Sequence, residues 1–266
     1  MISITLLKRN IRTCIKPFLL VFAVICMYTL IIVYMYEPDF AEMLEEYQQK
    51  MPEVMAAMGM TGVASSLIEW MQIYLYGFIM MLFPLIFIIV MIQKLVMGYI
   101  DSGSMANLLA TGNSRGRIIR TQAFSVVLWM VLLMGAVTVA GILGGIWLFP
   151  GELNVERYLI LNISTLFLQL TVAGISFLCA CVCSEARHYY TVGAGLPLLF
   201  FLMQMISNMG EKLENLKYFT IYTLLPAGEI AAGKGLFVVQ NAVLLLLAIV
   251  LFSSGIWWFQ RRDLGI

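Results

Sequence analysis

The chain is poor in charge. Of its 266 residues, 12% are Asp, Glu, Lys or Arg, where a soluble domain carries about a quarter. It has one histidine, His188, too few for a histidine-based zinc site. Low-complexity tracts, interdomain linkers and internal repeats are missing. So is the ten-residue alternation of apolar and polar positions that a membrane β-barrel needs.

In place of charge there is hydrocarbon: 62% of the residues are hydrophobic. A membrane-spanning helix takes about 20 mostly apolar residues. Six continuous runs qualify, at 18–36, 70–93, 121–149, 158–183, 189–208 and 236–259. The expected fold is an all-α integral membrane protein with six transmembrane helices. The first run is too long for a signal-peptide core and lacks a small-residue cleavage site, so it is expected to stay.

With six spans the connecting segments alternate between two sides. One side collects Lys8, Arg9, Arg12, Lys16, Lys94, Arg115, Arg117, Arg120, Arg187, Arg261 and Arg262. The other holds Lys50, Arg157, Lys212, Lys217 and Lys234, together with all the acids except Asp101, Glu185 and Asp263. The positive-inside rule makes the first side cytosolic and puts both termini there. None of the five cysteines then falls in an outer segment, so no extracellular disulfide framework is expected.

Residues 1–16 place Ile4, Leu7, Ile11 and Ile15 on one helical face with Lys8, Arg9, Arg12 and Lys16 mostly opposite. That pattern predicts an amphipathic helix in the inner interface, its basic face toward anionic headgroups, with Pro17 opening the first span. The acidic segment 37–67 repeats Phe40, Met43, Leu44, Tyr47 and Met51 at helical spacing, with Asp39 as a candidate cap. Pro52 and Gly59 bracket a second short turn. Pro84 predicts a kink in the second span, and Gly193, Gly195 and Pro197 a bend in the fifth. In the third span Ala136, Ala140 and Gly144, with Gly141 and Gly145, allow close helix approach, within the chain or between copies. Segment 209–234 is too short and too interrupted for two spans; it fits a re-entrant pair of short helices on the outer side.

Several motifs look chemical without the company they need. The run from Gly228 to Gly235 nearly spells a phosphate-binding loop but lacks the final Ser or Thr and a preceding strand. Ser176 lies about 18 Å of helix rise from His188. Glu45-Glu46 lacks further ligands, and Cys181 and Cys183 point away from each other on a helix. Asn162-Ile163-Ser164 matches a glycosylation sequon but sits inside a span. No metal, cofactor or catalytic residue is expected in this chain.

The middles of all six spans lack Asp, Glu, Lys, Arg and His, so an ion-coupled carrier has no obvious coupling group. Their polar content is amides and hydroxyls, with Asn162, Thr165, Gln169 and Gln204 as candidate substrate-path residues. Such a lining suits an amphipathic cargo and leaves the energy to a partner. A secondary transporter, a channel or an ATP-independent membrane assembly factor is the competing class.

The polar segment 98–117 joins the second and third spans on the basic side. Met105, Leu108 and Leu109 share one side of a two-turn helix, which suits docking on a soluble protein. The sequence Asp101-Ser102-Gly103-Ser104-Met105-Ala106-Asn107-Leu108-Leu109-Ala110-Thr111, followed by Ser114-Arg115, resembles the loop after span two in permeases of the ABC-2 family of ABC exporters. Segment Gly116-Arg117-Ile118-Ile119-Arg120 and the tail Phe259-Gln260-Arg261-Arg262-Asp263-Leu264 are similar too. Where members often carry proline between the leucines and the arginine, this chain has Gly112-Asn113.

The resemblance implies that segment 98–117 is a cytosolic coupling helix. Asp101, Gly103, Ser104, Met105, Leu108, Leu109 and Arg115 would contact a soluble ABC ATPase subunit. ATP and magnesium would bind that subunit and not this chain. It further implies a second permease copy or a sister permease, membrane lipid around the spans, no nucleic-acid partner, and a multi-pass location in a plasma membrane, bacterial in type.

Overall fold

The computed structural model describes residues 2–110, 112–210, 213–235 and 237–262, and the backbone alone for 38–42 and 45. Thr111, Glu211, Lys212, Asp263 and Leu264, all used in the sequence reading, lie outside the described residues. The elements are helical throughout: α1 (Ile4–Tyr34), α2 (Pro38–Lys50), α3 (Pro52–Ala57), α4 (Leu67–Met71), α5 (Ile79–Ile92), α6 (Gly98–Asp101), α7 (Met105–Ala110), α8 (Arg115–Leu148), α9 (Val155–Val182), α10 (Ala186–His188), α11 (Gly195–Ser207), α12 (Ala227–Ala232) and α13 (Phe237–Arg261). π-helical turns occupy 72–76, 93–97 and 189–194, and 3-10 turns 214–219 and 221–224. Among the described residues six helical stretches are long and apolar enough to cross a membrane: α1, Ile79–Asp101, α8, α9, Ala186–Ser207 and α13.

The second and fourth spans form the centre, with 61% and 67% of their apolar stretches buried, against 22% for the first, fifth and sixth. Glycine sets how closely the spans approach. A Cβ on Gly174 would stand 2.9 Å from Leu251 Cβ, and one on Gly255 3.0 Å from Phe177, so α9 and α13 pack along their length. In α8 the glycines are used within the chain: Gly141 receives the Tyr158 hydroxyl, Gly144 faces Leu30 and Gly145 faces Leu153. Ala136 and Ala140 stay half-exposed.

The first helix departs from its expected start. It runs unbroken from Ile4 with Pro17 in its interior. One buried stripe, Leu6, Asn10, Cys14, Val21, Ile25, Thr29 and Val33, continues through the proline and packs on α8. That packing offsets the hydrogen bond proline cannot donate. The side packed on protein is a different one from the isoleucine face. Ile4, Ile11 and Ile15 are exposed, while Asn10 is fully buried and donates to Gln122 Oε1 (2.6 Å) and Ser125 Oγ (2.8 Å) on α8.

The second span also differs. Its helix breaks at Gly77–Phe78, before Pro84 is reached. The cause is a backbone crossing: a Cβ on Gly77 would lie 2.3 Å from the Met58 carbonyl oxygen and 3.0 Å from Gly59 Cα. Pro84 is buried inside α5. In the fifth span the irregularity falls where glycines were seen, as the π turn that ends before Gly195.

At the end of the bundle opposite the arginines, α2 begins at Pro38, with Glu37 and not Asp39 as its N-cap residue. Of the apolar residues that recur at helical spacing, Leu44 touches the core, Met43, Tyr47 and Met51 are exposed, and the Phe40 side chain is not described. Segment 213–235 forms the two 3-10 turns and the single helix α12, which rests on α9, α4 and the π turn 72–76. The near phosphate-loop motif is α12 and its left-handed cap at Gly233 (φ +72°), a helix end instead of a strand-to-helix loop.

Candidate functional site

The segment between the second and third spans is built from tight turns. Ser102 Oγ donates to the Gly98 carbonyl (2.6 Å) and stands 2.8 Å from Ser104 Oγ. Gly103 takes φ +66°, a conformation glycine adopts without strain, and turns the chain into α7. Gly112 at φ +76° follows α7, and Ser114 caps α8 by accepting from Arg117 N at 3.2 Å.

The side of α7 that carries Met105, Leu108 and Leu109 faces the bundle. Met105 is 2% exposed, and Leu108 and Leu109 are half-buried against the spans. The outward positions are Asp101, Ser102, Gly103, Asn107 and Ala110, with Ser104 half-buried. The apolar side of a two-turn helix has the bundle beside it, and burial there removes it from water without a partner.

Asp101 and Arg115 are also engaged within the chain. Asp101 Oδ1 accepts from Ala186 N (2.9 Å), at the connection between the fourth and fifth spans. Arg115 donates to the Arg262 carbonyl (2.8 Å). The Arg262 guanidinium donates to the carbonyls of Cys181 (2.9 Å) and Cys183 (2.7 Å) and to Ser184 Oγ (2.8 Å). These carbonyls close α9, whose C-terminal end attracts a cation. Burial pulls the Arg262 pKa down from its ordinary value, yet arginine stays charged. Gly116 completes the brace: a Cβ there would meet the Gln260 side chain at 2.9 Å. The role of Arg262 as a clamp was not read from the sequence; its place in a tail of two arginines was the available signal.

Three candidate path residues lie in packed protein. Asn162 Nδ2 donates to the Tyr158 carbonyl, Thr165 Oγ1 to the Leu161 carbonyl, and Gln169 Nε2 to the Met80 carbonyl (3.0 Å). All three are buried. Gln169 thus ties α9 to α5 across the interior. Ser176 does similar work, donating to the Gly193 carbonyl at 2.5 Å. No group of His, Cys, Asp and Glu among the described residues is arranged to hold a metal.

Gln204 is placed differently. It lines a cavity of about 420 Å³ at the far end, together with Gln72, Tyr76, Phe201, Tyr222 and Glu229. Its Oε1 accepts from Thr223 Oγ1 (3.1 Å) and its Nε2 donates to Asn208 Oδ1 (3.1 Å). The walls come from the second span, the fifth span and the segment around α12. They combine aromatic surface, two glutamines and one exposed carboxylate. Gln72, Tyr222 and Glu229 were not read as cavity residues in the sequence, because they belong to two distant segments that only folding brings together.

The architecture is therefore six apolar spans, a braced loop at the arginine-rich end and an amphipathic cavity at the other. Comparison with curated proteins gives no match, and comparison with solved structures gives none. A family model does match, described as ABC-2 family transporter protein, over residues 4–264. The chain belongs to the ABC-2 family of transporter proteins, as a membrane permease.

Proposed function

We propose that this permease is the membrane-spanning part of an ATP-driven exporter, energised by a separate soluble ATPase subunit that docks on the outward side of segment 98–115. The observation that carries the reading is the bracing of that segment. Asp101 ties it to the connection of spans four and five, and Arg115 ties it to the end of span six. The segment itself joins spans two and three. A push on α7 is delivered to five spans at once, which is what a transmission element requires. ABC-2 permeases pair with ATPase subunits in general, and the span interiors here offer no ionisable group for another energy source.

In this reading the arginine-rich end is cytosolic and α7 is the coupling helix. The segment around α12 is a re-entrant outer cover, and the cavity with Gln72, Gln204 and Glu229 receives an amphipathic substrate before release. Two permeases, identical or sister chains, work with two ATPases. Asp101 and Gly103 remain contact candidates on the outer side, joined by Asn107 and Ala110. Met105, Leu108, Leu109 and Arg115 hold the loop in place.

The test is co-purification of the tagged full-length permease with its ATPase. N107R/A110E is expected to lose the ATPase while the permease keeps its melting temperature. Unchanged ATPase recovery overturns the docking surface. Labelling of Ser102→Cys in whole cells by a membrane-impermeant maleimide overturns the orientation.

A further inference from the structure

A second cavity, of about 370 Å³, lies at the arginine-rich end between α1 and the π turn 93–97. Arg9 and Thr13 line it from α1, Gln93 and Lys94 from the π turn, and Tyr99 and Ser104 from the segment that leads into α7. Two cations meet there and no carboxylate lines the space. Among the described residues neither Arg9 nor Lys94 has an ion-pair partner. The Arg9 guanidinium sits 5.2 Å from the Tyr99 ring centre. Stacking on the ring face leaves the N–H edge of the fork for oxygen acceptors. Gln93 and Lys94 add further donors, so the donor set matches a phosphate group.

The irregular backbone makes the space. The π turn widens the helix at 93–97, a feature common at functional positions. Gly98 fits beneath it, since a Cβ there would press on the Gln93 carbonyl at 3.2 Å. The depth is that of a lipid headgroup. Lys94 is the first charge after the uncharged stretch 70–93, and Lys16 is the last before the uncharged stretch 17–36. Above the cavity the α1 face that carries Arg9 and Thr13 continues at helical spacing to Leu20, which is 66% exposed. An acyl chain has an apolar track next to the cations.

We propose that this cavity binds the phosphate of an anionic phospholipid headgroup. Ser104 precedes α7 directly, so the bound lipid steadies the root of that segment. The site stands whether or not an ATPase docks on α7.

The experiment is native mass spectrometry of the full-length, delipidated permease titrated with phosphatidylglycerol, phosphatidylcholine or inorganic phosphate. Phosphatidylglycerol is expected to bind at concentrations where phosphatidylcholine does not. R9Q/K94Q should weaken it about tenfold, whereas K8Q/R12Q, which removes the same charge outside the cavity, should change it less than about twofold. Equal losses in the two variants, or equal binding of the two lipids, overturn the proposal. Displacement of the lipid by inorganic phosphate overturns the lipid assignment. If R9Q/K94Q does not fold, T13E places a carboxylate in the cavity and must give the same loss; unchanged binding overturns the site.

Discussion

The guanidinium of Arg115 donates to the main-chain carbonyl of Arg262 at 2.8 Å, joining the first turn of the third span to the end of the sixth. Arg262 in turn holds the end of the fourth span. Two residues distant in sequence thereby close one end of the bundle and link the connecting segments there.

Removing the clamp tests this. Arg262→Ala leaves the Cys181 and Cys183 carbonyls short of their donor. It is expected to cost about 2 kcal/mol, as for hydrogen bonds to a charged group, seen as a lower melting temperature of the purified permease. Arg262→Lys keeps the charge but not the fork, so it should fall between wild type and alanine.

The orientation of α7 gives a second test. Leu108→Asp should destabilise the permease by about 2 kcal/mol or more, because the new carboxylate is pressed against apolar spans. Asn107→Asp, one position away on the outward side, should leave the melting temperature unchanged. Equal tolerance of the two would place the leucine on the surface.

Gly141 and Tyr158 offer a paired test. A Cβ on Gly141 would lie 2.0 Å from the Tyr158 hydroxyl oxygen. Gly141→Ala should cost about 1–3 kcal/mol through overpacking. Tyr158→Phe removes the nearest obstructing atom but leaves the ring Cζ at 2.8 Å, so the double variant should recover part of the loss in a double-mutant cycle of thermal stability.

The end opposite the arginine cluster carries a pH dependence. Ser65 donates to Glu69 through its hydroxyl (2.6 Å) and its backbone N–H (2.8 Å), and these bonds hold the Glu69 carboxyl below the usual range. A depressed folded pKa contributes stability above the unfolded value, about 4.3, and loses it as pH falls through the folded value. Ser65→Ala should therefore melt slightly lower than wild type at neutral pH. The gap should close as pH falls through the folded value and the carboxyl becomes protonated in both. A gap that persists in acid would assign the effect to packing.

Sequence alone was a good guide to the number of spans and a poor guide to their faces. In water a buried stripe is apolar and an exposed one polar. In lipid both surroundings are apolar, so hydrophobicity stops marking the core. On α1 the isoleucines at 4, 11 and 15 point outward while Asn10, Cys14 and Thr29 are buried. On α9 the residues read as a pathway, Asn162, Thr165 and Gln169, are buried, the first two bonded to their own helix and the third to α5. The small and polar residues were seen; that Asn162 and Thr165 bond back to their own helix while Gln169 reaches α5 was not readable.

What the chain's own order of residues determined is the six spans, the uneven distribution of arginine and the polar segment between spans two and three. Span length and charge are local quantities, fixed by some twenty successive residues and the thickness of a bilayer. What only the tertiary structure decided is which side of α7 faces outward, that Asp101 and Arg115 brace the bundle, and that Gln72, Gln204 and Glu229 share a cavity. These depend on contacts between distant segments, and a contact needs two surfaces where a sequence presents one.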